Sequence, residues 1–92
     1  GIGGAVADRV GVTLAELARE HQVLCITHLP QVAARAEHHF RVHKTMRQGR
    51  AVTRVERLDE AARVDEIARM AGGAEITAAT RRHARELLDA AR

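Results

Sequence analysis

Apolar residues in the first part of the chain recur at the spacing of an amphipathic helix, which we predict over residues 5–20. They are four, four and three residues apart, at Val6, Val10, Leu14 and Leu17. Gly11 interrupts this helix at a cost of up to about 1 kcal/mol relative to alanine. Because glycine has no side chain, its presence inside a helix indicates that another segment packs closely against the helix at this position.

Val23–Ile26 is a continuous apolar run rich in β-branched residues, which is typical of a strand buried on both faces. Thr27 and His28 follow it, and Pro30 suits the first turn of a helix over 31–36. Because open α/β sheets bind ligands beyond the carboxyl ends of their strands, His28 is a candidate site residue. The alternative is that Thr27 and His28 only cap the following helix.

The second half predicts a β-hairpin and two more helices. Polar and apolar residues alternate over 38–44 and 51–57 on either side of a glycine-containing turn, 47–50. Asp59 and Thr77 are the predicted N-caps of the two helices. The apolar stripes of these helices are Val64, Ile67, Ala68 and Met70 in the first and Ala84, Leu87, Leu88 and Ala91 in the second.

The composition predicts a thin core. The 92 residues are 46% hydrophobic, but much of this is alanine, and Phe40 is the single aromatic residue. Such a core gives little stability by itself, so 1–92 is predicted to be one partial domain of something larger. The strand at Val23–Ile26 needs parallel neighbours, which we expect in sequence preceding Gly1.

The net charge of +3 is compatible with nucleic-acid or phosphate partners. However, the arginines are interspersed with acidic residues and form no long basic run. The pattern therefore favours a solvated surface of mixed charge. The interleaving of basic and aromatic residues that is typical of RNA binding is absent from the sequence.

The histidines and the cysteine are weak candidates for a metal site. Cys25 and His28 have Cys-x-x-His spacing, but a zinc site needs about four ligands. Strand alternation would place His39 and His43 on one face and His38 on the other. Cys25 lies inside the apolar run and is expected to be an inert core residue. We therefore predict no metal site.

Four carboxylates, Asp59, Glu60, Asp65 and Glu66, lie among arginines on the third predicted helix. Acid–base chemistry would need them in a cleft. We interpret them instead as a solvated helix face that carries local ion pairs, such as Glu66 with Arg69.

The lone cysteine excludes a disulfide within the chain, which fits a reducing compartment. No apolar stretch approaches the roughly 20 residues that span a bilayer. The expected location is the cytoplasm, without a membrane partner.

Three segments together carry a family resemblance. They read Gly-Ile-Gly-Gly-Ala-Val-Ala over 1–7, Val-Leu-Cys-Ile-Thr-His-Leu-Pro-Gln-Val-Ala over 23–33, and Arg-Val-Asp-Glu-Ile-Ala-Arg-Met-Ala-Gly-Gly over 63–73. In this order they closely resemble the C-terminal end of the RecN family, bacterial DNA double-strand-break repair proteins among the SMC-like ABC ATPases. The resemblance covers essentially the whole chain.

This resemblance implies an α/β fold, the C-terminal part of an ABC-type ATPase head with one buried strand, a β-hairpin and about four helices. It implies that Gly1, Gly3 and Gly4 belong to the D-loop and that His28 is the switch histidine of a composite ATP site. The implied cofactors of the complete protein are ATP and Mg²⁺. The implied partners are the remainder of the head, a second head in a homodimer, and DNA, with a nucleoid-associated location.

The Walker A lysine, the signature motif and the Walker B carboxylates of that family are absent from this sequence. Phosphoryl transfer needs the positioning and charge stabilisation that these parts supply. The chain alone is therefore predicted to be inactive and to hold no cofactor. The alternative function is a small basic nucleic-acid-binding module without enzymatic activity.

Overall fold

The computed structural model describes residues 3–72 and 75–92. In chain order these residues form helices α1 (Gly4–Leu17) and α2 (Pro30–Ala33), strands β1 (Phe40–Arg47) and β2 (Arg50–Arg57), and helices α3 (Glu60–Gly72) and α4 (Ala78–Ala91). The predicted hairpin and the four predicted helices are confirmed, although two helices are shorter than predicted. Helix α1 ends at Leu17 and continues to Glu20 only as a turn, and α2 ends at Ala33 and not at Ala36.

The hairpin is a two-stranded antiparallel sheet whose register runs from Phe40 opposite Arg57 to Arg47 opposite Arg50. Gln48 and Gly49 form its loop with φ angles of 51° and 76°. Two consecutive positive φ values define the type I′ turn, whose twist matches that of the flanking strands. The loop residues thus set the register of the hairpin.

Side chains cap α3 and α4 where the sequence predicted caps. Asp59 Oδ1 accepts a hydrogen bond from the Ala62 amide at 2.8 Å. Thr77 Oγ1 accepts from the Thr80 amide at 3.2 Å, and Thr80 Oγ1 accepts from the Thr77 amide at 2.8 Å. This reciprocal pair satisfies amides that a helix end otherwise leaves without partners.

The core lies where α3 packs on α4 and on the end of α2. Ile67 and Leu88 are its largest fully buried side chains. The buried cluster consists of Ala33, Ala34, Val64, Ile67, Ala68, Ala84 and Leu88, with Met70, Leu87 and Ala91 packed against it. The predicted stripes of both helices are confirmed, and the alanine content makes the core small, as expected.

The buried strand predicted at Val23–Ile26 is not formed. Residues 22–27 have no regular secondary structure, and the side chains of Leu24 and Ile26 are 90% and 97% exposed. Cys25, predicted to be buried, is exposed as well. The physical reason is that a strand needs hydrogen-bonded neighbours, and within the described residues β1 and β2 pair only with each other.

The apolar stripe of α1 is also largely exposed. The small residues Ala7 and Gly11 are buried, whereas Val6 and Leu17 are 55% and 50% exposed. Val6 and Leu14 line an open apolar groove of about 270 Å³ on this side of the helix. Thus α1 contacts the rest of the described chain through its small residues and turns its larger apolar side chains outward.

The chain is more open than its size predicts. Its radius of gyration is 14.1 Å, against about 12 Å for a compact domain of this length. Its accessible surface is 7018 Å², against about 5300 Å² for a compact protein of this mass. Each helix in the described residues is too short or too polar to cross a membrane.

Candidate functional site

The glycine-rich segment leads directly into α1. Gly3 is the N-cap, with extended backbone angles, and its carbonyl accepts a hydrogen bond from the Ala7 amide at 3.0 Å. Gly4 is the first helical residue, and no side chain in the described residues caps this helix. Gly1, the third glycine of the predicted D-loop, lies outside the described residues.

His28 lies in an exposed bend two residues before α2. Thr27 Oγ1 accepts a hydrogen bond from the Leu29 amide at 3.0 Å, which fixes the bend. Leu29 is the N-cap of α2, and its side chain makes no capping hydrogen bond. Neither Thr27 nor His28 is therefore the cap of α2, and the His28 imidazole is accessible to a ligand.

On one side, α2 is held by α1. A Cβ added at Gly11 would lie 3.0 Å from the Gln31 carbonyl oxygen and 3.0 Å from Arg35 Cγ. The close contact predicted for this glycine is confirmed. Arg35 also pairs with Asp8 of α1 at 3.4 Å, so that packing and charge both join α2 to α1.

On the other side, Arg63 of α3 holds the end of α2. Its buried guanidinium donates hydrogen bonds to the carbonyls of Ala33 at 3.2 Å and Ala34 at 3.3 Å, and to that of Ala36. The Ala33 carbonyl also accepts a hydrogen bond from the Ala36 amide at 3.2 Å, whereas the carbonyls of Ala34 and Ala36 have no backbone donor among the described residues. Because α2 is fixed at both sides, the bend that carries His28 rests on a rigid support.

The two predicted site segments approach each other through α2. A Cβ at Gly4 would lie 3.7 Å from Gln31 Nε2, which is ordinary van der Waals distance. Gln31 follows His28 by three residues. The first turn of α1 and the start of α2 thus lie on a shared part of the surface. An imidazole there has the chemistry to donate or accept one hydrogen bond with a bound ligand.

The carboxylates of α3 divide into two groups. Glu60 and Asp65 form ion pairs that join α3 to α4: Glu60 lies 2.6 Å from Arg92, the C-cap of α4, and Asp65 lies 2.8 Å from Arg81 of α4. Glu66, expected to be solvated, is instead buried. It accepts a hydrogen bond from Arg69 Nε at 3.0 Å, which confirms the predicted local pair, and Arg41 of β1 lies 3.4 Å away. Glu66 therefore joins the base of the hairpin to α3.

The histidines in β1 and just before it differ in how deeply they are buried. His39 and His43 are half-buried, whereas His38 is exposed, with its Nδ1 2.8 Å from Arg57 Nη2. Burial, and secondarily the nearby Arg63, lower the pKa of His39, while Glu66 acts in the opposite direction. Over residues 3–72 and 75–92, no three histidine, cysteine or acidic side chains come together as a metal site.

Sequence reasoning missed a set of basic side chains on one face of the hairpin. Arg47, Arg50 and Arg54 are separated in sequence and form no basic run, yet the register places them on the same face, two beside the turn and Arg54 near the middle of the sheet. The signal was present in the sequence, since no acidic residue occurs between Lys44 and Val55. The excess of positive charge becomes apparent only when the charges of the hairpin are counted separately from those of the rest of the chain.

Comparisons with known proteins confirm the resemblance. The chain is 47% identical over 88 residues to the DNA repair protein RecN of Bacillus subtilis, which is 96% of this chain and 15% of that protein. It is 51% identical over its full 92 residues to RecN of Mycobacterium leprae, again 15% of that protein. It is 53% identical over 77 residues to RecN of Xylella fastidiosa, which is 84% of this chain and 14% of that protein. No protein-family model matches the chain.

The matched class is thus bacterial DNA repair proteins. Within that class, the chain corresponds over nearly its whole length to the C-terminal region of RecN. It spans only about one-seventh of the length of these relatives.

Proposed function

We propose that this chain is the C-terminal part of an ABC-type ATPase head that acts in bacterial DNA double-strand-break repair and recombination. In this proposal Gly1, Gly3 and Gly4 form the D-loop and His28 is the switch histidine. The composite ATP site is completed by the rest of the head and by a second head in a homodimer. The site of action is the cytoplasm, at the nucleoid.

One observation carries the proposal: His28 is exposed on a bend whose supporting helix is fixed on both sides. A residue that positions a transferring phosphoryl group must be held within a fraction of an ångström. The contacts of α2 with Gly11 and with Arg63 provide such a support.

The described residues fit part of an ATP site and not all of it. His28 suits a hydrogen bond to a phosphate oxygen, and the glycines at the start of α1 leave room for close approach. The residues that would hold Mg²⁺ and the phosphates must come from outside this chain, because it contains no Walker A lysine and no Walker B carboxylates. Bound ATP supplies the phosphoryl group, and His28 positions it and stabilises its charge.

The remainder of the head is the proposed cover of the exposed apolar surfaces. Among the described residues these surfaces are the α1 stripe, the side chains of Leu24 and Ile26, and one face of the hairpin with Phe40, Val42, Met46 and Val55. Exposed apolar patches of this kind mark surfaces that contact other parts of a protein. Neighbouring strands from the rest of the head would convert 23–26 into the buried strand that its sequence predicts.

The test is ATP hydrolysis by the full-length protein. His28→Ala should lower kcat by about 10²-fold, the scale of losing one hydrogen-bond donor to a developing charge. ATP affinity should change much less, and His28→Gln should recover part of the rate if hydrogen bonding is the operative interaction. His83→Ala, a substitution at an exposed histidine on α4, is the matched control. Normal turnover in His28→Ala would refute the proposed role.

A further inference from the structure

The hairpin concentrates the positive charge of the chain. Between Phe40 and Arg57 there are six arginine and lysine residues and one glutamate, so this element carries +5 while the whole chain carries +3. The acidic residue, Glu56, lies at the base of the hairpin, 3.9 Å from Arg41. The half of the hairpin nearest the turn has no negative charge to offset its cations.

Three arginines share one face of the hairpin, two beside the turn and the third, Arg54, opposite His43 near the middle of the sheet. Strand alternation and the register place Arg47, Arg50 and Arg54 on the same face, with Arg47 directly opposite Arg50. All three are exposed, and none forms an ion pair with another described residue. Five of the other eleven arginines pair with carboxylates: Arg35, Arg41, Arg69, Arg81 and Arg92.

This arrangement is unfavourable unless an anion is nearby. Like charges directly opposite each other destabilise an antiparallel pair. A bound phosphate between two guanidinium groups removes this repulsion and forms strong charge-assisted hydrogen bonds. The dimensions suit a polyanion, because Arg54 lies about 13 Å along the strand from Arg50. A two-stranded ribbon also fits the major groove of B-DNA, which is about 12 Å wide.

We propose that the face of the hairpin formed by Arg47, Arg50 and Arg54 binds the phosphate backbone of duplex DNA. The choice of DNA as the polyanion rests on the proposed role in DNA repair. The contact itself requires neither His28 nor nucleotide. Contacts of this kind give affinity and position without reading sequence. The apolar face, on the other side of the sheet, is left free to pack against the rest of the protein.

The experiment compares two triple variants of the full-length protein that lose the same charge. The test variant carries Arg47→Gln, Arg50→Gln and Arg54→Gln. The control variant removes three exposed arginines elsewhere, by Arg19→Gln, Arg82→Gln and Arg85→Gln. Binding of a fluorescent DNA duplex is measured by anisotropy from 50 to 300 mM salt. ATP hydrolysis without DNA is measured in parallel. This measurement distinguishes a loss of DNA binding by the hairpin from a loss of function at the proposed ATP site.

The test variant should bind DNA at least about tenfold more weakly at 0.1 M salt, and its slope of log affinity against log salt should fall by about 2 to 3. The control should keep the wild-type slope. Replacing the same three arginines by lysine should also keep it, because lysine neutralises phosphates too. ATP hydrolysis without DNA should stay at the wild-type rate in every variant.

An unchanged salt slope in the test variant would overturn the proposal, and so would an equal fall in the control. It would also be overturned if the test variant kept its DNA binding and instead lost binding to phosphatidylserine vesicles.

Discussion

Arg63 is a buried cation whose guanidinium serves the carbonyl groups at the end of α2. Burying a charge is costly unless hydrogen bonds replace its hydration. Here one side chain donates to the carbonyls of Ala34 and Ala36, which have no backbone donor among the described residues, and shares the Ala33 carbonyl with the Ala36 amide. Glu66, one turn later on α3, binds Arg41 and Arg69 in a similar way. These two residues join α2 and the hairpin to α3.

Arg63→Met should loosen α2. The substitution keeps much of the apolar stem but leaves the carbonyls of Ala34 and Ala36 without their donor, at a cost of about 2 kcal/mol. Amide hydrogen exchange within 32–36 of the full-length protein should accelerate about 30-fold, which is the equivalent of that free energy. Arg82→Met, at an exposed position of α4, is the control and should leave the exchange unchanged. Unchanged exchange in Arg63→Met would show that these hydrogen bonds do not hold α2.

The pKa of His39 gives a second test at the residue scale. It is held below its ordinary value of 6.5 mainly by burial. Between this lowered pKa and 6.5 the unfolded state binds more protons than the folded state, so the free energy of unfolding falls as pH falls through this window.

In NMR spectra of histidine-labelled protein, His39 should titrate with a midpoint below pH 6.5. Glu66→Gln should lower the midpoint further, because it removes the carboxylate that favours the charged imidazole. A midpoint at or above 6.5 would contradict the burial seen here.

At the scale of elements, the contact of α1 with α2 depends on Gly11. Its missing side chain lets the Gln31 carbonyl and Arg35 approach the helix. The same face of α1 buries Ala7, while the larger apolar residues point away. The position of α2, and therefore of His28, follows from this close approach.

Gly11→Ala should destabilise the contact of α1 with α2 by about 1–3 kcal/mol, which is typical of overpacking. Helix propensity alone would predict the opposite effect, because alanine stabilises a helix by about 1 kcal/mol relative to glycine. Gly4→Ala is the matched control, since a Cβ there meets only an ordinary contact at 3.7 Å. Hydrogen exchange in α1 and α2 measures both effects. Slower exchange in Gly11→Ala would show that helix propensity, and not packing, dominates at this position.

The elements predicted correctly are those whose signals are local. The hairpin follows from alternation and from a glycine in its turn, and α3 and α4 follow from Asp59 and Thr77 together with their apolar stripes. Val23–Ile26 fails because a strand depends on neighbours that lie elsewhere in the sequence. The sequence predicts a solvated Glu66, because helical spacing alone does not show that Arg41 of the hairpin contacts this part of α3.

At the scale of the whole molecule, the chain exposes surfaces that a complete domain would bury. Its accessible area of 7018 Å² exceeds the area expected of a compact protein of this mass, about 5300 Å². The side chains of Leu24, Ile26 and Val42 contribute to this excess. This agrees with a chain that spans about one-seventh of its relatives.

The isolated 92-residue chain should therefore be marginally stable or should self-associate. Exposed apolar residues on an unpaired segment and on a hairpin face favour pairing with further copies. Analytical ultracentrifugation together with thermal unfolding by circular dichroism tests this. Leu24→Thr combined with Ile26→Thr should reduce the association. A sharp cooperative transition in a demonstrated monomer would contradict the expectation.

The candidate site was accessible from the sequence only in part. The position of His28 after an apolar run, and the resemblance of its segment to RecN, made it a candidate without any structure. Gly11 predicts a close contact, but its partner α2 and the hydrogen bonds from Arg63 could not be predicted, because these contacts join residues about twenty or more positions apart. The arginine face of the hairpin required the register that brings Arg47 opposite Arg50.

The most direct test of the proposed ATP site is the structure of the full-length protein with Mg²⁺ and a non-hydrolysable ATP analogue. The proposal predicts that a ring nitrogen of His28 lies within hydrogen-bonding distance, about 3 Å, of an oxygen of the γ-phosphate. It also predicts that residues 23–26 form a strand paired on both sides within the same head. A His28 side chain that pointed into solvent, remote from the nucleotide in closed heads, would contradict the proposed function.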